Sequence, residues 1–284
     1  MYAATLQFDD TNLLVDGKAR IAFASSDNET RLTDLYQRDP MRVLFPETPK
    51  DDLPQAVVVT TSGGLVGGDR ITLEAEAGFD ARAFVTSQAA EKIYRSSGED
   101  AQINVKLTAG PESWLEYLPQ ETILFDGARL RRKTTVAVKP GARALAGEMI
   151  VFGRIGSGET FAHGFVHDAW DVCVDDRLTW ADALHLDSDI AGILNNETCF
   201  NGAVSMATAI YAGPDAEGHL DTARQKLMQT DKTLVGATLV NGVLVMRWLG
   251  QDAFELRALF GEFWQQFRHV VAGLPEKLPR LWHV

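Results

Sequence analysis

Six carboxylates, Asp69, Glu91, Glu116, Glu121, Asp126 and Glu148, each sit among glycine, apolar or aromatic residues. An isolated charge in such surroundings is costly, so a carboxylate there is solvated, paired with an arginine such as Arg95, Arg129 or Arg154, or placed for function. As a group, their oxygens suit the path of a hard or borderline divalent cation. Glu121 and Asp126 also form a pair of the kind that acid/base chemistry on a small molecule would need.

His163 and His167 are spaced H-x-x-x-H, which on a helix would aim both imidazoles at one metal ion. Their surroundings are β-like, and strand positions four apart are separated by about 13 Å, too far for one ion to bridge. One of them reaches a divalent metal ion only if the remaining ligands come from elsewhere in the fold. His167, Asp171 and Cys173 share one strand face, but neighbours on a face lie about 7 Å apart, so they cannot act as nucleophile, base and orienting acid. Cys173 and Cys199 have no paired spacing and suggest neither a disulfide framework nor a zinc knuckle.

The glycines of residues 63–68 invite a phosphate-loop reading. A P-loop ends in Gly-Lys-Ser/Thr and opens a helix. Here Asp69 would set a negative charge against the phosphate, and a strand pattern follows. The run therefore reads as a turn whose glycines take positive φ or admit a close backbone approach.

Short alternating runs bounded by Gly, Pro, Asp and Asn extend from Tyr2 to about Val174, as in residues 56–61, 71–77, 81–87, 102–108, 130–138 and 142–152. This pattern is that of antiparallel strands. Two further strands, 234–240 and 243–248, flank Asn241-Gly242, a pair suited to a type I′ turn. Helices gather in the second half, over residues 189–195 and 221–229 and in a longer one opened by Asp252 and ended before Gly273. In the last, Glu255 supplies a capping-box variant, and Leu256, Leu259, Phe260, Phe263, Trp264 and Phe267 fall at helical spacing. The expected fold class is mainly β, all-β or α+β, with a large antiparallel-rich unit and a few helices toward the C-terminal half. The chain reads as one unit over residues 1–284, with no internal repeat or linker.

A formal net charge of -12 argues against a nucleic-acid partner, whose phosphates need clustered Lys and Arg. The single basic cluster, Arg129, Arg131, Arg132 and Lys133, reads as a solvated or partner-facing strand face. Asp9, Asp10 and Asp16 interrupt any apolar core a secretory signal would need, and no apolar run approaches the roughly 20 residues of a membrane span. A cytoplasmic protein is expected, with no membrane association.

The chain as a whole resembles the UreD (UreH) family of urease accessory proteins. The likeness is carried by residues 32–40 (LTDLYQRDP) with 44–46 (LFP), the glycine block 61–69 (TSGGLVGGD), 86–96 (TSQAAEKIYRS), 118–129 (LPQETILFDGAR), 147–154 (GEMIVFGR) and 278–282 (LPRLW), all in family order. Residues 163–173 and 210–221 depart from the pattern. The resemblance implies a largely β scaffold, not an enzyme, that binds UreF, the GTPase UreG and urease apoprotein, in an accessory complex that can be a dimer of heterotrimers. It also implies that Ni2+ passes through this chain toward the urease active site, with no tightly bound cofactor. Asp69, Glu91, Glu121 and Asp126 lie in the resembling blocks and are the candidates for a transient Ni2+ path. The competing class, a hydrolase or isomerase built on Glu121 and Asp126, lacks a convergent acid, base and anion-binding loop.

Overall fold

The computed structural model describes residues 14–27 and 29–283. The strand pattern expected from Tyr2, and the part of the Met1-to-Arg20 segment up to Leu13, lie outside the described residues. Strands fall into two sheets. The first runs, in spatial order, β14 (Arg177–Leu186), β13 (Phe165–Val174), β11 (Arg129–Val138), β8 (Ala101–Ala109), β5 (Arg70–Ala77), β1 (Asp16–Ser26) and β2 (Glu29–Arg38). The second runs β16 (Thr233–Val240), β17 (Val243–Gly250), β15 (Ser205–Ala212), β12 (Arg143–Phe152), β9 (Trp114–Tyr117), β6 (Arg82–Ser87), β4 (Gln55–Thr60) and β3 (Met41–Leu44). Two short strands, β10 (Thr122–Leu124) and β7 (Glu91–Ile93), join it alongside β12.

The mainly β expectation holds, as do the strand runs and the helices of the second half, but the pairing is mixed. From β4 to β13 the chain passes back and forth between the sheets, so successive strands within one sheet run in the same direction. Hence β1, β5, β8, β11 and β13 form consecutive parallel ladders, as do β4, β6, β9 and β12. The expected predominance of antiparallel pairing is thereby corrected. Parallel strands usually lie under helices on both faces and read as continuous apolar runs. Those of the first sheet have only one covered face: β5 and β8 alternate buried and partly exposed residues, which from sequence looks antiparallel.

The core between the sheets takes Ile21, Leu73, Val105, Leu130 and Val166 from the first and Val85, Ala144, Ile150, Ile210 and Val245 from the second. A second core covers the far face of the second sheet. There Leu145, Met149, Tyr211 and Trp248 meet Phe260, Phe263, Trp264 and Phe267 of a long helix. The helices are α1 (Ile190–Asn195), α2 (Leu220–Lys226) and this one, α3 (Ala253–Ala272).

Asp252 caps α3 by accepting from the backbone N–H groups of Phe254 and Glu255, and Gly273, at φ 65°, ends it. Glu255 accepts instead from the Thr230 and Thr233 hydroxyls, so its side chain ties α3 to the β16 approach. Gly147 of β12 lets the helix lie close. A Cβ there would stand 2.8 Å from Trp264 and 2.9 Å from Phe260. Glu116, fully buried, fixes the same contact by accepting from Trp114 Nε1 and Trp264 Nε1, each at 2.9 Å, and from Arg268 Nε at 3.0 Å. Arg268 also donates to Asp52 at 2.7 Å. The β16–β17 hairpin turns through Asn241 and Gly242, both at positive φ, as a type I′ turn requires.

Candidate functional site

Between the sheets, lined from β5, β8 and β11 on one side and from β3, β4, β6, β7, β9 and β10 on the other, lies a cavity of about 70 Å3. Its walls include Met41, Val58, Ile71, Leu73 and Val105, yet it also receives Thr60, Thr86, Glu91, Tyr117, Gln120, Thr122 and Arg132. An inter-sheet space carrying this many polar side chains is room for water or a small polar cargo, since purely apolar voids stay dry. Thr86 donates its hydroxyl to the Leu118 carbonyl at 2.6 Å, and the Gln120 amide group donates to the Leu281 carbonyl at 3.2 Å, which ties the cavity rim to the C-terminal segment. Burial pushes the Glu91 carboxyl above the usual carboxylate range, with a hydrogen bond from Thr60 opposing that push.

Behind the cavity lies a buried charge cluster. Arg132 donates to Asp168 twice, at 2.8 and 2.6 Å, and to the Thr122 hydroxyl at 3.0 Å, and its second terminal nitrogen lies 2.9 Å from Glu148. Trp170 Nε1 donates to the other Glu148 oxygen. Burial works against the Arg132 charge, but Asp168 and Glu148 outweigh it. Burial likewise raises Glu148 well above the ordinary carboxylate range, with Asp168 adding to the rise. Asp168 shifts the other way, because Arg132 overcomes the cost of its burial. The cluster thus sets one guanidinium between two carboxyl groups whose proton affinities are pushed in opposite directions, Glu148 upward and Asp168 downward.

Arg132 belongs to the basic run read from sequence as a solvated face. That reading describes Arg129 and Arg131, which pair with Asp100, and Lys133, which pairs with Asp171. It fails for Arg132, which is 5% exposed. Side chains alternate along a strand, so one residue of a run of three must point opposite to its neighbours, and here opposite means inward.

The four carboxylates singled out for a metal path lie in different settings. Glu91 lines the cavity. Asp69 is 3% exposed and accepts from the backbone N–H groups of Val15 and Val66, closing the glycine loop onto the start of β1. In that loop Gly64 has φ 144° with a would-be Cβ 2.5 Å from the Tyr94 ring, and at Gly67 a Cβ would lie 2.1 Å from the Ser96 hydroxyl, so positive φ and close approach both apply. Glu121 pairs with Arg257 of α3 at 2.5 Å, while its backbone carbonyl accepts from the Glu91 N–H at 2.9 Å. Asp126 accepts from the backbone N–H groups of Ala162 and His163. These amides hold its carboxyl below the usual range against the opposing effect of burial. Among the described residues no group of three or more His, Cys, Asp or Glu side chains is gathered as a metal site. Sequence reasoning missed Arg132, Asp168 and Tyr117. The signal available was the inward position of Arg132 within an alternating strand.

Among the described residues, no helix is long and apolar enough to cross a membrane. The family model for the UreD urease accessory protein matches residues 15–283. Urease accessory protein UreD of Magnetococcus marinus is 42% identical over 287 residues, covering 99% of each chain. That of Azorhizobium caulinodans is 38% identical over 266 residues, covering 94% of this chain and 95% of its own. UreD of Mesorhizobium japonicum is 36% identical over 268 residues, covering 94% and 93% respectively.

Proposed function

The chain belongs to the family of UreD urease accessory proteins, and on that premise we propose that it is a non-enzymatic scaffold that binds UreF, UreG and urease apoprotein and conducts Ni2+ toward the urease active site. The observation that carries the nickel part is the polar cavity between the sheets, with the Glu91 carboxylate in its wall. Oxygen ligands hold Ni2+ less tightly than imidazole or thiolate, so one carboxylate among hydroxyls and water suits cargo that must move on. Asp69, Glu121 and Asp126 remain the other candidates for the path; in the metal-free chain the first accepts from the glycine loop, the second pairs with Arg257 of α3 and the third holds the segment before β13. The cytoplasm is the expected compartment, and the accessory complex a pair of UreD-UreF-UreG heterotrimers.

The test is reconstitution of urease from apoprotein, Ni2+, bicarbonate, UreF and UreG, with and without this chain and with its Glu91→Gln variant. The wild-type chain raises nickel content and activity of urease. Glu91→Gln assembles with UreF as the wild type does yet loads less nickel. Equal nickel loading without the chain would overturn the scaffold reading, and equal loading by Glu91→Gln would overturn the role of the cavity.

A further inference from the structure

His167 of β13 and His185 of β14 are directly opposite each other in the antiparallel ladder, on the face turned away from the inter-sheet core. Their Nδ1 atoms are 3.4 Å apart, whereas the ring centroids are 5.6 Å apart with an interplanar angle of 68°. The rings therefore present their nitrogen edges to one another and are not stacked. In the metal-free chain the pair makes at most one long N–H···N hydrogen bond, one Nδ1 donating and the other accepting. Two nitrogens 3.4 Å apart, each about 2.0–2.1 Å from a shared ion, subtend close to the tetrahedral angle at that ion.

We propose that His167 and His185 form a surface site for a borderline divalent cation, Zn2+ fitting the spacing as it stands and Ni2+ after a small closing of the rings, with water completing the coordination. The choice of ion follows from the donors, since imidazole suits Zn, Ni and Cu while carboxylate and carbonyl sets suit Mg and Ca. The setting supports it. Phe165 packs edge-on against His185, with ring centroids 5.5 Å apart, and steadies one ring. Arg131, opposite His167 on the other side, and Arg129, which shares the Phe165 ring with it, are adverse charges on this face, but both guanidinium groups are taken up by Asp100. Sequence spacing excluded a shared ion for His163 and His167. The ladder supplies His167 with a different partner, 18 residues further along the chain. The site is separate from the inter-sheet cavity and stands or falls independently of the nickel route.

Equilibrium dialysis of the tag-free chain against Zn2+ alone, and against Ni2+ alone, tests the site. The wild type retains an ion that the His167→Gln/His185→Gln double variant loses, each single variant binds more weakly, and His163→Gln is unchanged. X-ray absorption at the zinc edge of the loaded wild type shows two imidazole nitrogens and oxygen neighbours, a signature that needs no variant to be folded. Retention of the ion by a double variant with unaltered thermal unfolding would overturn the proposal, as would wild-type chain that retains none or a zinc-edge spectrum without paired imidazoles.

Discussion

Arg132 and Asp168 face each other across the β11–β13 ladder, joined by two hydrogen bonds where neither side chain is more than 6% exposed. Removing one member of such a pair leaves the other charged and buried. Arg132→Met should therefore lower the free energy of unfolding by about 3 to 5 kcal/mol. Urea unfolding measures it. A loss under about 1 kcal/mol, the scale of an exposed pair, would show that the cluster is wetter than its burial implies.

Glu148 gives the cluster a pH dependence. Its folded pKa is raised above the ordinary 4.5, so the folded chain keeps a proton that the unfolded chain has released. Stability from this group is then fully present below the unfolded value and is lost as pH rises through the folded value. Glu148→Gln, neutral throughout, lacks this slope and should gain on the wild type as pH rises from about 4.5 toward neutrality. Glu91, also raised, is common to both proteins and cancels in the difference. Asp168 is lowered below 3.8 and acts only on the acid side of that window. Urea midpoints across the range decide it, and parallel curves for the two proteins would refute the assignment.

Gly147→Val tests the seating of α3. The added Cβ already meets Trp264, Phe260 and the Thr208 carbonyl before its methyls are counted, and overpacking of this kind costs about 1 to 3 kcal/mol. Near-ultraviolet circular dichroism should change as well, since Trp264 moves. An unchanged spectrum and melting temperature would mean that the helix is held more loosely than the contacts indicate.

Glu121→Ala should behave differently from Glu91→Gln. Arg257, released from Glu121, also donates to the Trp282 carbonyl and lies over the Trp282 ring, 4.5 Å from its centroid. Freeing it loosens the C-terminal segment, and under the proposed scaffold role association with UreF on gel filtration and nickel loading of urease should then fall together. Loss of loading with intact association would instead make Glu121 a ligand on the path.

Family, fold class and the few helices of the C-terminal half were all legible in the chain, because they depend on local order. Asp252 and the apolar positions from Leu256 to Phe267 specify α3, Asn241-Gly242 specifies the β16–β17 turn, and the ordered blocks from residue 32 to residue 282 specify the family. Strand direction was not legible. One-sided burial produces the same alternation in parallel and antiparallel ladders, and only the passage of the chain between two sheets decides which occurs. The site divides in the same way. Glu91 and Glu148 stood out as carboxylates in apolar surroundings, but Arg132 meets Asp168 across 36 residues, Glu116 meets Arg268 across 152, and His167 meets His185 across 18. No spacing rule covers those separations, since each pair is brought together by strand register or by the docking of α3, and both are settled when the sheets and the helix bury their apolar faces against one another.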